Sequence, residues 1–323
     1  MPATQLPLTG ATLAQPIDFT QPGLPSLDSV HDAIPFTPVP GGTTYQVLRT
    51  TEFDTYESSP EVAAVAQLLQ QGRPSPTALA DALRAAAAPP PGDNFAGNDR
   101  KAAKLSIGQK PTEQFLDVAA LVATLVPDDA MIKHVPPIGT SSTSQRVTEE
   151  QRNARVLGFL YAASREHDND FHLIVGRDPA TLPEMYMTME VSGLPGTASA
   201  AFKPLKSTRD AFLSFFGAHV PGLAYDFYHP PIPLVIDGSL FFDMTHAIGQ
   251  HPGPPSLKSR MPTIWEVHPV TAISLGAHPP GLPAKESIRG VEKFVSPQND
   301  EYLILKTTET DAYDAPPETK PTT

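Results

Sequence analysis

Residues 155–176 read RVLGFLYAASREHDNDFHLIVG, and this stretch sets the fold class. Arg155 to Ala163 is an apolar and aromatic run of strand length, Asp170 to Gly176 is a second, and the polar Arg165–Asn169 between them has the composition of a turn. Alternation along the second run predicts Asp168, Asp170 and His172 on one face, with Phe171, Leu173 and Val175 on the other. Met185–Val191 reads as a third strand. Ser207–Phe216 reads as a helix with Thr208 as candidate cap and Phe212, Phe215 and Phe216 on its core face. Ile232–Met244 and Thr263–Leu275 supply two more strands.

The order strand, strand, strand, helix, strand, strand is that of an OB-fold, a five-stranded barrel with a helix between its third and fourth strands. The expectation is therefore a mainly β chain with an OB-like barrel over residues 140–276. The long first strand of such a barrel must turn a corner, and Gly158 is the candidate residue for it. A β-sandwich is the runner-up, but so few strands would cover it poorly. After the barrel, Val291–Val295 and Tyr302–Lys306 read as a hairpin within a C-terminal extension, 277–308. Residues 309–323 read as a flexible tail of Pro, Thr and acid.

The first half of the chain reads differently. Residues 1–44 are rich in Pro, Thr and Gly with neither period, the composition of an extended arm that could lie on its own domain or on a protein partner. Residues 45–139 read as a small helical region. Ser59-Pro60-Glu61 and Ser75-Pro76 are helix-start signals, and a third helix is expected from Thr112, with Phe115, Leu116, Ala119 and Val122 on one side and Pro127 as its stop.

Composition narrows the function. The 323 residues carry 23 Lys+Arg against 35 Asp+Glu, a formal net charge of -12, which argues against nucleic acid as a partner. The 38 prolines exclude a fold dominated by long helices. There is no cysteine, so disulfides, zinc–thiolate sites and thiol catalysis are excluded. Met1–Gln15 lacks the basic and apolar segments of a signal peptide, and the apolar Ala119–Val126 is too short to span a bilayer. The expectation is a soluble protein without membrane association, cytoplasmic by default.

Three segments concentrate acids and histidines: His167–His172, Phe241–His246 and Trp265–Pro269. In the third, Glu266 and His268 share one face and Trp265 and Val267 the other, which makes Trp265 a core anchor. In the spatial order 1-2-3-5-4 of an OB barrel, Asp170 and His172 on strand two and Glu266 and His268 on strand five flank Glu190 on strand three. The candidate metal ligands are Asp168, Asp170, His172, Glu190, Asp243, His246, Glu266 and His268. The candidate catalytic groups are His172, Glu266 and His268. Carboxylate with imidazole suits a divalent cation, or a general base with an orienting acid. The competing reading is a satisfied polar network that closes one end of the barrel.

These stretches resemble a group of largely uncharacterised bacterial proteins whose pattern runs Asp-x-Asp-x-His-Leu-Val-Ile, then Gly-Phe-Phe-Asp-x-x-His, then Glu-Leu-His-Pro-Val. The matching stretches are Asp168–Val175, Leu240–His246 and Glu266–Val270, and the likeness covers about residues 145–275. The group commonly has His-Gly-Gln, whereas His246 is followed here by Ala-Ile-Gly-Gln. The resemblance implies an OB-like barrel and brings no activity. A weaker likeness is to micrococcal nuclease-like barrels, whose Asp-Gly-Asp-Thr turn is partly echoed by Asp168-Asn169-Asp170-Phe171. For that family's catalytic arginine the nearest candidates are Arg177 and Arg209. The expected function is thus a binding or structural module whose acid/His face holds a small ligand or a divalent cation. The alternative is a metal-dependent hydrolase, a phosphodiesterase or nuclease, using the same face.

Overall fold

The structure, a computed structural model, describes residues 17–38, 42–54, 92–244, 246 and 252–276, together with the backbone of residues 288–295 and 301–307. The two helix-start signals at Ser59 and Ser75, residues 1–16 of the arm and the tail 309–323 lie outside the described residues.

The chain is mainly β. Eight strands form one mixed sheet: β1 (Val30–Phe36), β2 (Tyr45–Thr50), β3 (Thr112–Phe115), β4 (Asn153–Arg165), β5 (Phe171–Gly176), β6 (Tyr186–Val191), β7 (Asp226–Phe242) and β8 (Trp265–Leu275). The described helices are short, α1 (Lys101–Lys104), α2 (Val118–Val122) and α3 (Asp128–Ile132), apart from the 15-residue α4 (Phe202–Phe216). The strand order is β1-β2-β7-β8-β6-β5-β4-β3, and β7 also pairs with β4. Five strands, β4-β5-β6-β8-β7, therefore close on themselves. Three others extend the sheet beyond that circuit, so it is not a clean five-stranded barrel. A separate two-stranded sheet pairs β9 (Ile288–Val295) with β10 (Glu301–Thr307) as an antiparallel hairpin.

Several expectations need correction. Val30–Phe36, read as part of an extended arm, pairs with β2, and Tyr45–Thr50, read as part of a helical region, pairs with β7. Their β-branched and aromatic residues find a sheet edge there, which local composition does not reveal. Thr112–Phe115 is not a helix start but a strand, parallel to β4, and the helix begins only at Val118, where Asp117 accepts the Ala119 N–H at 3.0 Å. Thr208 is not a cap: α4 begins at Phe202, and the Thr208 hydroxyl donates to the Pro204 carbonyl within it. Gly158 is not the corner either. The register of β4 shifts between Leu160 and Ala162. Gly158 is instead a close-approach site, where a Cβ would stand 2.8 Å from Val175 and 3.0 Å from the Gly176 carbonyl.

Inward-facing residues of the circuit build the core: Leu160, Leu173, Val175, Met187, Met189, Leu234, Ile236, Trp265 and Val267 among them, with Phe212 and Phe216 of α4 packed on. Trp265 is 1% exposed, meets Phe242 edge-to-face at 5.3 Å, and donates its indole N–H to the Val126 carbonyl at 2.8 Å. A second apolar cluster on the outer side joins Leu24, Val30, Ala33 and Leu48 to Tyr161, Ile174, Tyr225 and Met261.

The long β7 lies along β4 on one edge and serves two neighbours in turn on the other. Asp226–His229 pairs with β2, and Leu234–Phe242 pairs with β8. Pro230 and Pro231 lie between, where absent N–H donors suit a change of partner.

Trp265→Ala should cost about 3–5 kcal/mol, read from denaturant unfolding. A residue-140 boundary would cut β2 from β7, Val126 from Trp265 and Arg100 from Glu150, paired at 2.6 Å. A 140–276 fragment should therefore unfold at lower denaturant than the full chain; equal midpoints would show a self-standing barrel.

Candidate cation site on the outer face of the sheet

Alternation along three neighbouring strands puts apolar side chains inward and a polar row outward. His172 of β5 is in register with Glu190 of β6, and Thr188 of β6 with Glu266 of β8. His268 is aimed by a bulge. The β7–β8 register jumps between Gly238/Val270 and Leu240/Val267, leaving His268 and Pro269 opposite Ser239 alone. Pro269 supplies no N–H there. A Cβ on Gly238 would stand 2.6 Å from the Pro269 carbonyl, so glycine admits the bulge. The buried carbonyls around it are held by one buried cation: Arg146 donates to His268 O and Leu240 O, both at 2.6 Å, and also to Ser106 O at 2.8 Å.

Three groups of ligand-type atoms lie on this face. In the first, His172 Nδ1 faces Glu166 at 2.6 Å and the Tyr225 hydroxyl at 3.2 Å, while Nε2 faces the Thr188 hydroxyl at 3.1 Å. In the second, His268 Nδ1 is paired with Glu190, and Nε2 faces the Ser192 hydroxyl at 2.8 Å and Asp170 at 3.4 Å. Asp170 also accepts the Gly193 N–H at 2.6 Å. The third group is Asp243, His246 and Glu266: His246 Nδ1 stands 3.5 Å from Glu266 and 3.8 Å from Asp243. Glu266 also approaches His268 Nδ1 at 3.8 Å.

All eight sequence-derived candidates are described. Seven fall in these groups, and Glu190 belongs to two of them. Asp168 does not. It precedes β5, in a turn where Asn169 has φ 76°, so strand alternation does not reach it. It accepts the Asp170 N–H and faces Lys104 at 3.5 Å. His172, Glu266 and His268, expected together, fall in three separate groups, of which those of His172 and His268 share Glu190. Glu166, Lys104, Thr188, Ser192 and Tyr225 were not anticipated. Thr188 and Ser192 were accessible by continuing the period-two pattern outward from Glu190. Lys104 and Arg146 arrive from outside the circuit and carry no local signal.

Burial works to lower the His268 pKa, but Glu190 and its neighbours outweigh it and hold the imidazole up at about 10. His246 is likewise desolvated and held up at about 9 by Asp243 and Glu266. For Glu190, burial acts upward, and the positive charges of His268 and Lys104 win, holding it well below the usual carboxylate range. Burial and the Asp168 charge push Asp170 well up. Glu190–His268–Ser192 has the connectivity of an acid–base–nucleophile triad. An imidazole that already carries its proton at neutral pH, however, cannot take one from Ser192.

No family model, curated protein or solved structure matches the chain. Among the described residues, no helix is long and apolar enough to cross a membrane.

His268→Gln removes the cation from between buried carboxylates and should cost about 3–5 kcal/mol. The raised His268 pKa contributes stability in full below the ordinary 6.5, and that contribution is lost as pH rises through about 10. In chelator-treated samples the melting gap between wild type and His268→Gln should therefore narrow across that interval. A gap independent of pH would remove the charged pair as its cause.

Proposed function

We propose that the chain is an OB-like binding module whose outer sheet face holds one divalent cation between Asp243, His246 and Glu266. The circuit β4-β5-β6-β8-β7 supports the OB-like reading, because it has the 1-2-3-5-4 order with α4 between its third and fourth strands. The observation that carries the cation reading is Glu266. It is 0% exposed, and neither carboxylate oxygen accepts a hydrogen bond among the described residues. Among the described residues, only the imidazolium charges of His246 and His268, at 3.5 and 3.8 Å, face it; a divalent ion would take the place of the His246 proton and complete the carboxylate at closer range.

The spacing points the same way. Two donors on one tetrahedral ion, each about 2.0–2.2 Å from it, stand about 3.4 Å apart. His246 Nδ1 lies 3.5 and 3.8 Å from its two carboxylate neighbours, longer than a good hydrogen bond and suited to a shared ion. His268 Nδ1 and Glu190 form an ion pair in direct contact, which leaves no room for an ion between them. Two carboxylates and an imidazole favour a first-row divalent ion such as zinc or manganese.

The binding reading is preferred to the hydrolase because both flanking imidazoles are engaged at both nitrogens. The arginines suggested by the nuclease likeness are also engaged: Arg177 with Asp117, and Arg209 with Asp93 and Asn169.

Elemental analysis and calorimetric titration of the chelator-treated protein with manganese or zinc test this. Wild type should bind one equivalent, and Glu266→Gln, which keeps size and removes charge, should bind at least tenfold more weakly. Wild-type protein that takes up neither metal would overturn the proposal.

A further inference from the structure

Lys104 stands beside this site without being one of its ligands. It ends α1, its side chain is only 10% exposed, and its Nζ lies 3.5 Å from Asp168 and 3.9 Å from Asp243. The ammonium is thus shared between the turn before β5 and a proposed cation ligand, and neither distance is that of a strong charge-assisted hydrogen bond.

Its position is fixed by construction. Arg100, with φ 48°, opens α1 and is itself fully buried. Its guanidinium binds Glu150 through both terminal nitrogens, at 2.6 and 2.8 Å, and donates to the carbonyl of Phe242 at 3.0 Å. Phe242 immediately precedes Asp243. The same arginine therefore sets where α1 starts and where β7 ends, and so brings Lys104 up to Asp243. The ring of Phe241 takes Arg100, Arg146 and Lys104 within 4.7–5.9 Å of its centroid, which keeps the lysine stem against an apolar wall.

We infer that Lys104 is the affinity-setting residue of the Asp243/His246/Glu266 site, a tethered monovalent cation that competes with the divalent ion for Asp243. The inference rests on the cation reading above. An ion within coordination distance of Asp243 would stand a few ångströms from the ammonium, in a region where charges interact strongly. The ion must therefore push Lys104 away from Asp243 and toward Asp168, whose carboxylate already stands 3.5 Å from Nζ, with Glu190 and Asp170 adding to the pull. Metal affinity is then set by how well Asp168 draws the lysine away, as well as by the three ligands.

Two substitutions act in opposite directions. Lys104→Gln removes the competing charge and should tighten manganese binding on the order of tenfold or more. Asp168→Asn keeps the oxygen that accepts the Asp170 N–H, removes one of the carboxylates that draw Lys104 away from Asp243, and should weaken binding by several-fold. In the double variant the Asp168→Asn effect should largely vanish, because the residue it acts through is gone. Calorimetric titration of the chelator-treated full chain with manganese chloride, with melting curves on the same samples, reads all four proteins. Wild-type and Lys104→Gln protein binding with equal affinity would overturn this inference and leave the cation site intact. Undiminished Asp168→Asn weakening in the double variant, read against Lys104→Gln, would overturn it too, by showing direct action on the ion; if Lys104→Gln folds too poorly to titrate, an Asp168→Asn protein that binds manganese as tightly as wild type overturns it instead. Absence of binding by wild type would overturn both readings.

Discussion

Carboxylates withdrawn from water must find positive charge or hydrogen-bond donors, and the middle of this sheet has to satisfy Asp170, Glu190, Asp243 and Glu266 together, all buried. Much of the surrounding construction answers that requirement. The bulge at His268-Pro269 turns an imidazole toward Glu190, Gly238 leaves room for the bulge, and Arg146 takes up the carbonyls that the bulge frees. Lys104 arrives on a short helix held by the Arg100–Glu150 pair. The apolar core below is ordinary by comparison. It needs alternation along β5, β6 and β8, and that alternation is what places every outward polar residue in one row.

Much of this was legible in the sequence because it follows from period two. Phe171/His172, Met189/Glu190, and Trp265/Glu266 with Val267/His268 each assign one face inward and one outward, and the structure places them so. The pairing of a strand-two histidine with Glu190, and of Glu190 with His268, followed from strand order. Alternation failed where the backbone leaves the strand, as at Asp168, where Asn169 takes a left-handed conformation. It was silent about β1, β2 and β3, whose pairing with distant partners depends on edges that exist only once the circuit has formed. Lys104 and Arg146 could not be reached from the motifs, because a cation brought over a sheet face by a separate short helix or loop leaves no periodic trace.

The sharing of Glu190 has a consequence for how this face exchanges protons. One carboxylate lies within ligand distance of both His172 and His268, and His268 in turn approaches Glu266, which approaches His246. Groups linked in this way do not titrate singly: a proton leaving one imidazole alters the field at the next. The titrations of His246 and His268 therefore belong to the array rather than to either ring alone. The sheet face is, in this sense, one polybasic acid distributed over three strands and a loop.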